Sequence, residues 1–141
     1  MNKEKTGTRR WISVILMGLV ASGAIYLGVL YLLSTHVMDY HISFLQMQES
    51  EINQFNPRIV ELFITLIHVA GATMLAIGVT GFVLAFWPFR KAYCWAKWCL
   101  IMIYLVSLIP MMIITYKIAD AIPEGLPKPP WYLSVVMLVV L

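Results

Sequence analysis

Charged side chains are scarce in this chain, and that scarcity decides its class. Only 12% of the 141 residues are Asp, Glu, Lys or Arg, whereas 61% are hydrophobic. Soluble domains average about 25% charged and about 45–50% apolar residues. Together with long apolar runs, this composition predicts a membrane protein. A chain of this length has room for one small helical bundle and for no second domain.

Cysteines and catalytic motifs are also few. Cys94 and Cys99 are too few and too close for a disulfide framework, and their spacing is not C-x-x-C. The sequence has no P-loop, no serine-hydrolase elbow and no haem-attachment motif. ATP hydrolysis and serine-type acyl transfer therefore have no support in the sequence. The basic residues form no face interleaved with aromatics, so no nucleic-acid partner is expected.

Long apolar runs are what the chain has in abundance. They predict an all-α polytopic membrane protein, an antiparallel bundle of four transmembrane helices in a single domain, 1–141. The expected helices are 11–35, 57–87, 98–118 and 131–141. We expect the first helix to be retained, the alternative being a signal peptide cleaved within residues 21–24. The fourth helix is about 16 Å long, which is too short to cross a hydrocarbon core of about 30 Å. It is either a half-span or a helix that continues beyond Leu141, and we expect the second.

Local signals predict the ends and bends of these helices. Asn56 suits an N-cap and Pro57 the first helical position, so the second helix should begin there and end before Pro88. Pro110 should kink the third helix, with Ser107 satisfying the carbonyl that this proline leaves free.

Two segments lie between these spans. Residues 36–55 predict a short amphipathic helix at the outer membrane surface, or a continuation of the first helix. Residues 120–130, with four prolines, should not be helical.

The basic residues predict the orientation of the bundle. Arg58, Lys117 and Lys128 fall on one side of the membrane. The larger group on the other side is Lys3, Lys5, Arg9, Arg10, Arg90, Lys91 and Lys97. The positive-inside rule then places the N-terminus in the cytoplasm and residues 36–56 and 119–130 outside. The two cysteines fall on the reducing side, where no disulfide is expected.

Five ligand-type residues fall on the predicted outer half of the bundle: His36, Asp39, His41, Glu61 and His68. If the first helix continues, His36 and Asp39 share one of its faces. Glu61 and His68 are seven residues apart and share a stripe of the second helix in either case. Such a set would suit zinc, copper, non-haem iron or a haem held by His68 and a second histidine. In the alternative interpretation, the helix dipole stabilises Glu61 and one hydrogen bond satisfies His68.

Small residues predict two packing faces. Gly18 and Ser22 lie one turn apart in the first helix, and Gly71, Gly78 and Ala85 recur along the second. Small residues let helix backbones approach closely. We therefore expect association with other membrane-protein subunits, or self-association, through Gly18, Ser22, Gly71 and Gly78. A flat cofactor or a lipid tail in the glycine groove is the alternative.

The layout of the segments resembles the DoxX-like group of small four-helix bacterial membrane proteins. The resemblance covers most of the chain and includes His68-x-x-Gly71, Leu75-Ala-Ile-Gly78 and the turn Arg90-Lys91-x-x-x-Trp95-Ala. It implies an antiparallel four-helix bundle in a bacterial inner membrane. Some members of that group are linked to quinone-connected sulfur oxidation, and the resemblance carries this activity over only as a hint. No catalytic motif of the group can be placed on this chain, so the resemblance assigns no functional residue.

Three functions follow as hypotheses. The first is an accessory or structural subunit, or assembly factor, of a larger membrane complex, and it is the one we expect because no catalytic set is evident. The second is a metal-, haem- or quinone-dependent redox protein with its site on the outer half of the first two helices. The third is a small transporter or lipid-handling protein with Pro110 as its hinge. The first hypothesis implies no enzyme activity and names no cofactor. The second would take a metal ion, a haem or a quinone, and we do not favour a metal ion or haem.

Overall fold

The computed structural model describes the backbone of residues 3–140 and the side chains of residues 8 and 10–139. Over this range the chain is helical and contains no strand. The helices are α1 (Lys3–Leu32), α2 (Asp39–Leu45), α3 (Glu49–Phe55), α4 (Pro57–Leu84), α5 (Cys94–Ala121) and α6 (Trp131–Val140), with one π-helical turn at Ala85–Phe89. Leu141 lies outside the described residues. So do the side chains of three basic residues that were counted to predict the orientation, Lys3, Lys5 and Arg9.

Three helical segments within residues 3–140 are long and apolar enough to cross a membrane: Arg10–Leu32, Pro57–Phe89 and Cys94–Ala121. They confirm the all-helical class and are compatible with an integral membrane protein. The helix predicted as the fourth span is α6, and it has only ten residues. At about 1.5 Å per residue it covers about half of a hydrocarbon core that is ~30 Å thick. The predicted count of four spanning helices is therefore not confirmed.

α1 and α4 are antiparallel and touch backbone to backbone. A Cβ atom built on Gly71 would lie 2.9 Å from the carbonyl oxygen of Gly28 and 2.9 Å from the nitrogen of Leu32. A Cβ atom on Gly78 would lie 2.8 Å from the nitrogen of Ile25. These distances leave no room for a methyl group, so the contact requires glycine on α4.

Three of the four residues predicted to bind partners are packed against other helices of the same chain. Gly18, Gly71 and Gly78 are buried, and a Cβ atom on Gly18 would meet the ring of Phe86 at 2.7 Å. Ser22 is exposed. The groove along the glycines of α4 therefore holds the backbone of α1. Association with a partner through these four residues stays a prediction.

α5 packs on a second side of α4. The core cluster between the helices consists of Met17, Val20, Ala85, Leu100, Tyr104 and Leu108. α6 lies against α5 and α1, with the methyl group of Met137 close to Gly23. The ring of Trp131 meets the ring of Tyr116 edge-on at 5.6 Å between centroids. The short sixth helix thus reaches only to the middle of α1.

The predicted start of the second spanning helix is confirmed, but its predicted end is wrong. The side-chain oxygen of Asn56 accepts a hydrogen bond from the Arg58 N–H at 3.0 Å, with Pro57 in the first turn. The helix does not stop before Pro88, because the π-helical turn carries the chain through Phe89. A π turn widens the backbone locally, which accommodates a proline that lacks an N–H and would crowd an α-helical carbonyl.

Three further boundaries differ from the sequence predictions. α5 runs through residues 120–121, which were expected to be non-helical, because its first following proline is Pro123. α1 ends at Leu32 and does not continue into the segment of residues 36–55. That segment forms two short helices in place of one, because Gln46 adopts a left-handed conformation with φ of 52° and ends α2.

Replacing Gly71 by alanine should weaken the α1–α4 contact. The new methyl group would meet the Tyr31 Cβ at 2.8 Å as well as two backbone atoms of α1. Overpacking of this kind costs about 1–3 kcal/mol. We expect a lower melting temperature for G71A than for the unmodified protein, measured by circular dichroism in one detergent.

Gly23→Ala is the matched control, because its methyl group would meet only the mobile end of Met137, at 3.2 Å. Both variants gain the same intrinsic helix propensity, so their difference isolates the contact. Equal melting temperatures for G71A and G23A would contradict the backbone contact.

Candidate functional site

The deepest of the predicted ligand residues, His68, is tied to the segment that follows α1. Its Nε2 lies 2.8 Å from the carbonyl oxygen of Ser34, and the ring is half-buried. A carbonyl oxygen only accepts, so Nε2 carries the proton in this hydrogen bond. His68 therefore joins α4 to the end of α1, as the alternative interpretation of its position proposed.

His36 pairs with Glu49, a residue that the sequence analysis did not select. The His36 Nδ1 lies 3.5 Å from the Glu49 Oε1, with the two side chains 80% and 30% exposed. The other carboxylate oxygen of Glu49 accepts the N–H of Val37 at 3.1 Å. The sequence analysis expected His36 and Asp39 to share a helix face only if the first helix continued, and α1 ends at Leu32. No local pattern indicates Glu49, since its partners lie far along the chain.

The other three predicted residues point to separate surroundings. Asp39 is exposed in the first turn of α2, and its backbone carbonyl accepts the Ser43 hydroxyl at 2.9 Å. Glu61 is exposed on α4. His41 lies on α2, with its ring centroid 4.2 Å from that of Tyr40 and 6.3 Å from that of Phe63.

No group of three or more His, Cys, Asp or Glu side chains gathers around a possible metal position in the described part of the chain. The five predicted residues fall into a histidine–carbonyl pair, a histidine–glutamate pair and three separate positions. The metal or haem site stays a prediction, and the geometry adds no ligand cluster to support it.

His41 is unusual because its ring is partly buried without a polar partner. The Nδ1 atom is buried and makes no hydrogen bond to any described residue. Burial lowers the pKa of His41 below its usual value, because the charged imidazolium would lose water without gaining a partner. α2 lies outside the three spanning segments, so this group can exchange protons with the aqueous phase.

A pair of tyrosines holds α2 to the end of α1. The hydroxyl groups of Tyr31 and Tyr40 lie 3.0 Å apart. Burial, and then the hydrogen bond to Tyr31, raise the pKa of Tyr40 well above its usual range. The neutral hydroxyl is therefore the form present at any physiological pH. The sequence analysis missed this pair because neither residue belongs to a recognisable motif.

Tyr104 on α5 carries the second buried polar atom without a partner. Its side chain is 1% exposed, and its hydroxyl makes no hydrogen bond to a described residue. The hydroxyl lies against Gly81 of α4, where an added Cβ atom would overlap it. On the same helix, the Ser107 hydroxyl was expected to donate a hydrogen bond to the carbonyl that Pro110 leaves free. It donates to the Ile103 carbonyl instead. Tyr104 thus fits into a notch that only glycine leaves open.

The outward side of α4 combines small and polar residues with bulky apolar ones such as Leu62, Val69 and Val83. Opposite its buried glycines, this helix exposes small and polar residues along one side: Glu61, Thr65, Ala72, Ala76 and Thr80. Ala72, Ala76 and Thr80 follow one another at intervals of one turn. In a helix these positions lie on the same face. We refer to these five residues as the α4 outer face.

Comparison with known proteins found no matching family model, no matching curated protein and no matching solved structure. The resemblance to the DoxX-like group accordingly stays a prediction from the layout of the segments. The function has to be argued from the geometry of this chain.

Acidification should destabilise the α2–α3 end of the protein through His41. A histidine whose pKa is lower in the folded state binds fewer protons when folded. Its contribution to stability is complete above the unfolded pKa of about 6.5 and is lost as the pH falls below it. We expect the melting temperature to fall between pH 7 and pH 5, and to fall less in His41→Phe, which keeps a ring beside Phe63.

His36→Gln is the control for this titration. It removes the exposed imidazole next to Glu49 but keeps His41, so the fall in melting temperature should persist. Parallel pH profiles for the unmodified protein and H41F would show that His41 does not carry the effect.

A double-mutant cycle tests the notch at Gly81. Gly81→Ala should cost about 1–3 kcal/mol because its methyl group overlaps the Tyr104 hydroxyl. Tyr104→Phe should be neutral or stabilising, since the hydroxyl has no described partner to lose. The double variant should recover part of the loss of G81A, measured as the free energy of unfolding in one detergent. Strict additivity of the two single changes would refute the contact.

Proposed function

We propose that this protein is a non-enzymatic accessory or structural subunit of a larger membrane complex. The observation that supports the proposal is the α4 outer face, where Glu61 and a line of small residues are exposed on a spanning segment. The proposed partner is a transmembrane helix of another membrane protein that covers this face.

The composition of the face favours a helix over lipid as its neighbour. Lipid tails are as apolar as leucine and gain nothing from small residues, whereas a second helix can approach closely over Ala72 and Ala76. Thr65 and Thr80 add hydroxyl groups on the same side. The Thr65 hydroxyl already donates to the Glu61 carbonyl at 2.8 Å but can still accept a hydrogen bond.

Glu61 strengthens the argument because ionisable residues within membrane spans rarely face lipid. It lies about one turn inside the span that begins at Pro57, and no described cation pairs with it. The positive end of the α4 dipole stabilises the carboxylate in part. A hydrogen-bond donor or a cation on a partner helix would complete its surroundings.

The glycine faces predicted from the sequence do not carry this proposal. Gly18, Gly71 and Gly78 are buried against their own chain, so the proposal is argued from other residues. The α4 outer face lies on the opposite side of the same helix. It therefore leaves the α1–α4 contact intact when a partner binds.

The test is native mass spectrometry of the protein extracted from its own membrane in mild detergent. We expect added mass from other polypeptides for the unmodified protein. Ala72→Ile with Ala76→Ile should reduce the associated fraction about tenfold or more, because bulky side chains separate the two helices.

Val106→Phe is the control, since it adds bulk to an exposed position of α5, away from the α4 outer face. It should retain the associated polypeptides. A bare chain mass for the unmodified protein, or a multiple of it alone, would overturn the proposal, and so would equal association of the double variant.

A further inference from the structure

Two arginines from different elements flank one small pocket at the end of the bundle away from α2 and α3. Arg10, Trp11, Val14 and Arg90 line this pocket, whose volume is about 90 Å³. The guanidinium carbon of Arg90 lies 5.0 Å from the centre of the Trp11 ring, a cation–π distance. The pocket therefore joins the beginning of the first span to the turn after the second.

The described charges around this pocket are all positive. Lys91 lies beside the pair, with its ammonium group 5.6 Å from the centre of the Trp87 ring. The only ion pair among the described side chains is that of His36 and Glu49, at the other end of the bundle. Six of the seven acidic residues belong to that other end: Asp39, Glu49, Glu51, Glu61, Asp120 and Glu124. The seventh, Glu4, has a side chain outside the described residues.

The pocket lies at the depth where lipid phosphates are found. The first span begins at Arg10 and the second ends at Phe89, so Arg90 is the next residue along the chain. Both guanidinium groups are therefore at the same membrane boundary. Trp11 and Trp87 fit the aromatic belt of that boundary, which lies at the level of the head groups.

We propose that Arg10, Trp11 and Arg90 bind the phosphate group of an anionic phospholipid. Two guanidinium groups offer fork-shaped donors that match phosphate oxygens, and the anion relieves their mutual repulsion. Trp11 holds the Arg90 guanidinium in place, and the fully buried Val14, one turn deeper, closes the apolar floor of the pocket. The site is separate from the α4 outer face, so it does not depend on the accessory-subunit proposal.

The experiment is a lipid titration of the purified full chain in neutral detergent, followed by native mass spectrometry. The unmodified protein should bind phosphatidylglycerol more tightly than phosphatidylcholine. Arg10→Gln with Arg90→Gln should weaken the binding of phosphatidylglycerol about 25-fold, at about fivefold per arginine, and leave phosphatidylcholine unchanged. Millimolar inorganic phosphate should not displace the lipid.

The control is Arg58→Gln with Lys117→Gln, which removes the same charge from the opposite end of the bundle. It should change the affinity for phosphatidylglycerol by less than about twofold. Unchanged binding in R10Q/R90Q, or an equal loss in R58Q/K117Q, would overturn the proposal. Displacement by inorganic phosphate would overturn the lipid as the ligand.

A charge-retaining variant keeps the test decisive if R10Q/R90Q does not fold. Arg10→Lys with Arg90→Lys preserves both charges but not the forked donors, so it should bind phosphatidylglycerol more weakly than the unmodified protein and more tightly than R10Q/R90Q. Phosphatidylglycerol should also raise the melting temperature of the unmodified protein, since it binds the folded state. No shift on adding this lipid would refute the site.

Discussion

The close approach of α1 and α4 is the contact on which the rest of the structure depends. Gly71 and Gly78 let the two backbones meet, and no side chain larger than hydrogen fits at either position. Because the helices are antiparallel, this one contact determines both ends of the bundle. It brings Ser34 to His68 at one end and Arg10 to Arg90 at the other. A shift of one helix by a turn, about 5.4 Å, would break both pairs together.

At the α2–α3 end, two of the five residues selected as candidate ligands, His36 and His68, have a side-chain partner that explains them. His68 donates to a backbone carbonyl, and Glu49 bridges His36 and the Val37 N–H. Tyr31 and Tyr40 add a third link. These hydrogen bonds hold the segment after α1 in place where the helix itself has ended. His41 differs from both, since its buried nitrogen has no described partner.

What the sequence predicted correctly is what local chemistry decides. Composition and run length predict an all-helical chain with helices long and apolar enough to span a membrane, and Asn56-Pro57 predicts a helix start because the cap is made by neighbouring residues. The outer residues were placed less well, because their partners lie far along the chain. His68 bonds Ser34 and His36 meets Glu49, and no period in the sequence connects those positions. The glycines of α4 predicted close packing, but not that α1 would be the helix packed there.

The two faces of α4 show that small residues serve different purposes on one helix. The inner face uses glycine because the α1 backbone lies within about 3 Å of the added atom. The α4 outer face has alanine and threonine, which are small enough to let a neighbouring helix approach closely. Both residues favour the helical conformation more than glycine does. Leucine and valine, which gain more dispersion contact with lipid, are exposed on this helix as well, at Leu62, Val69 and Val83. The small residues between them are the physical reason to expect a protein neighbour on that side, because they let a second helix approach closely.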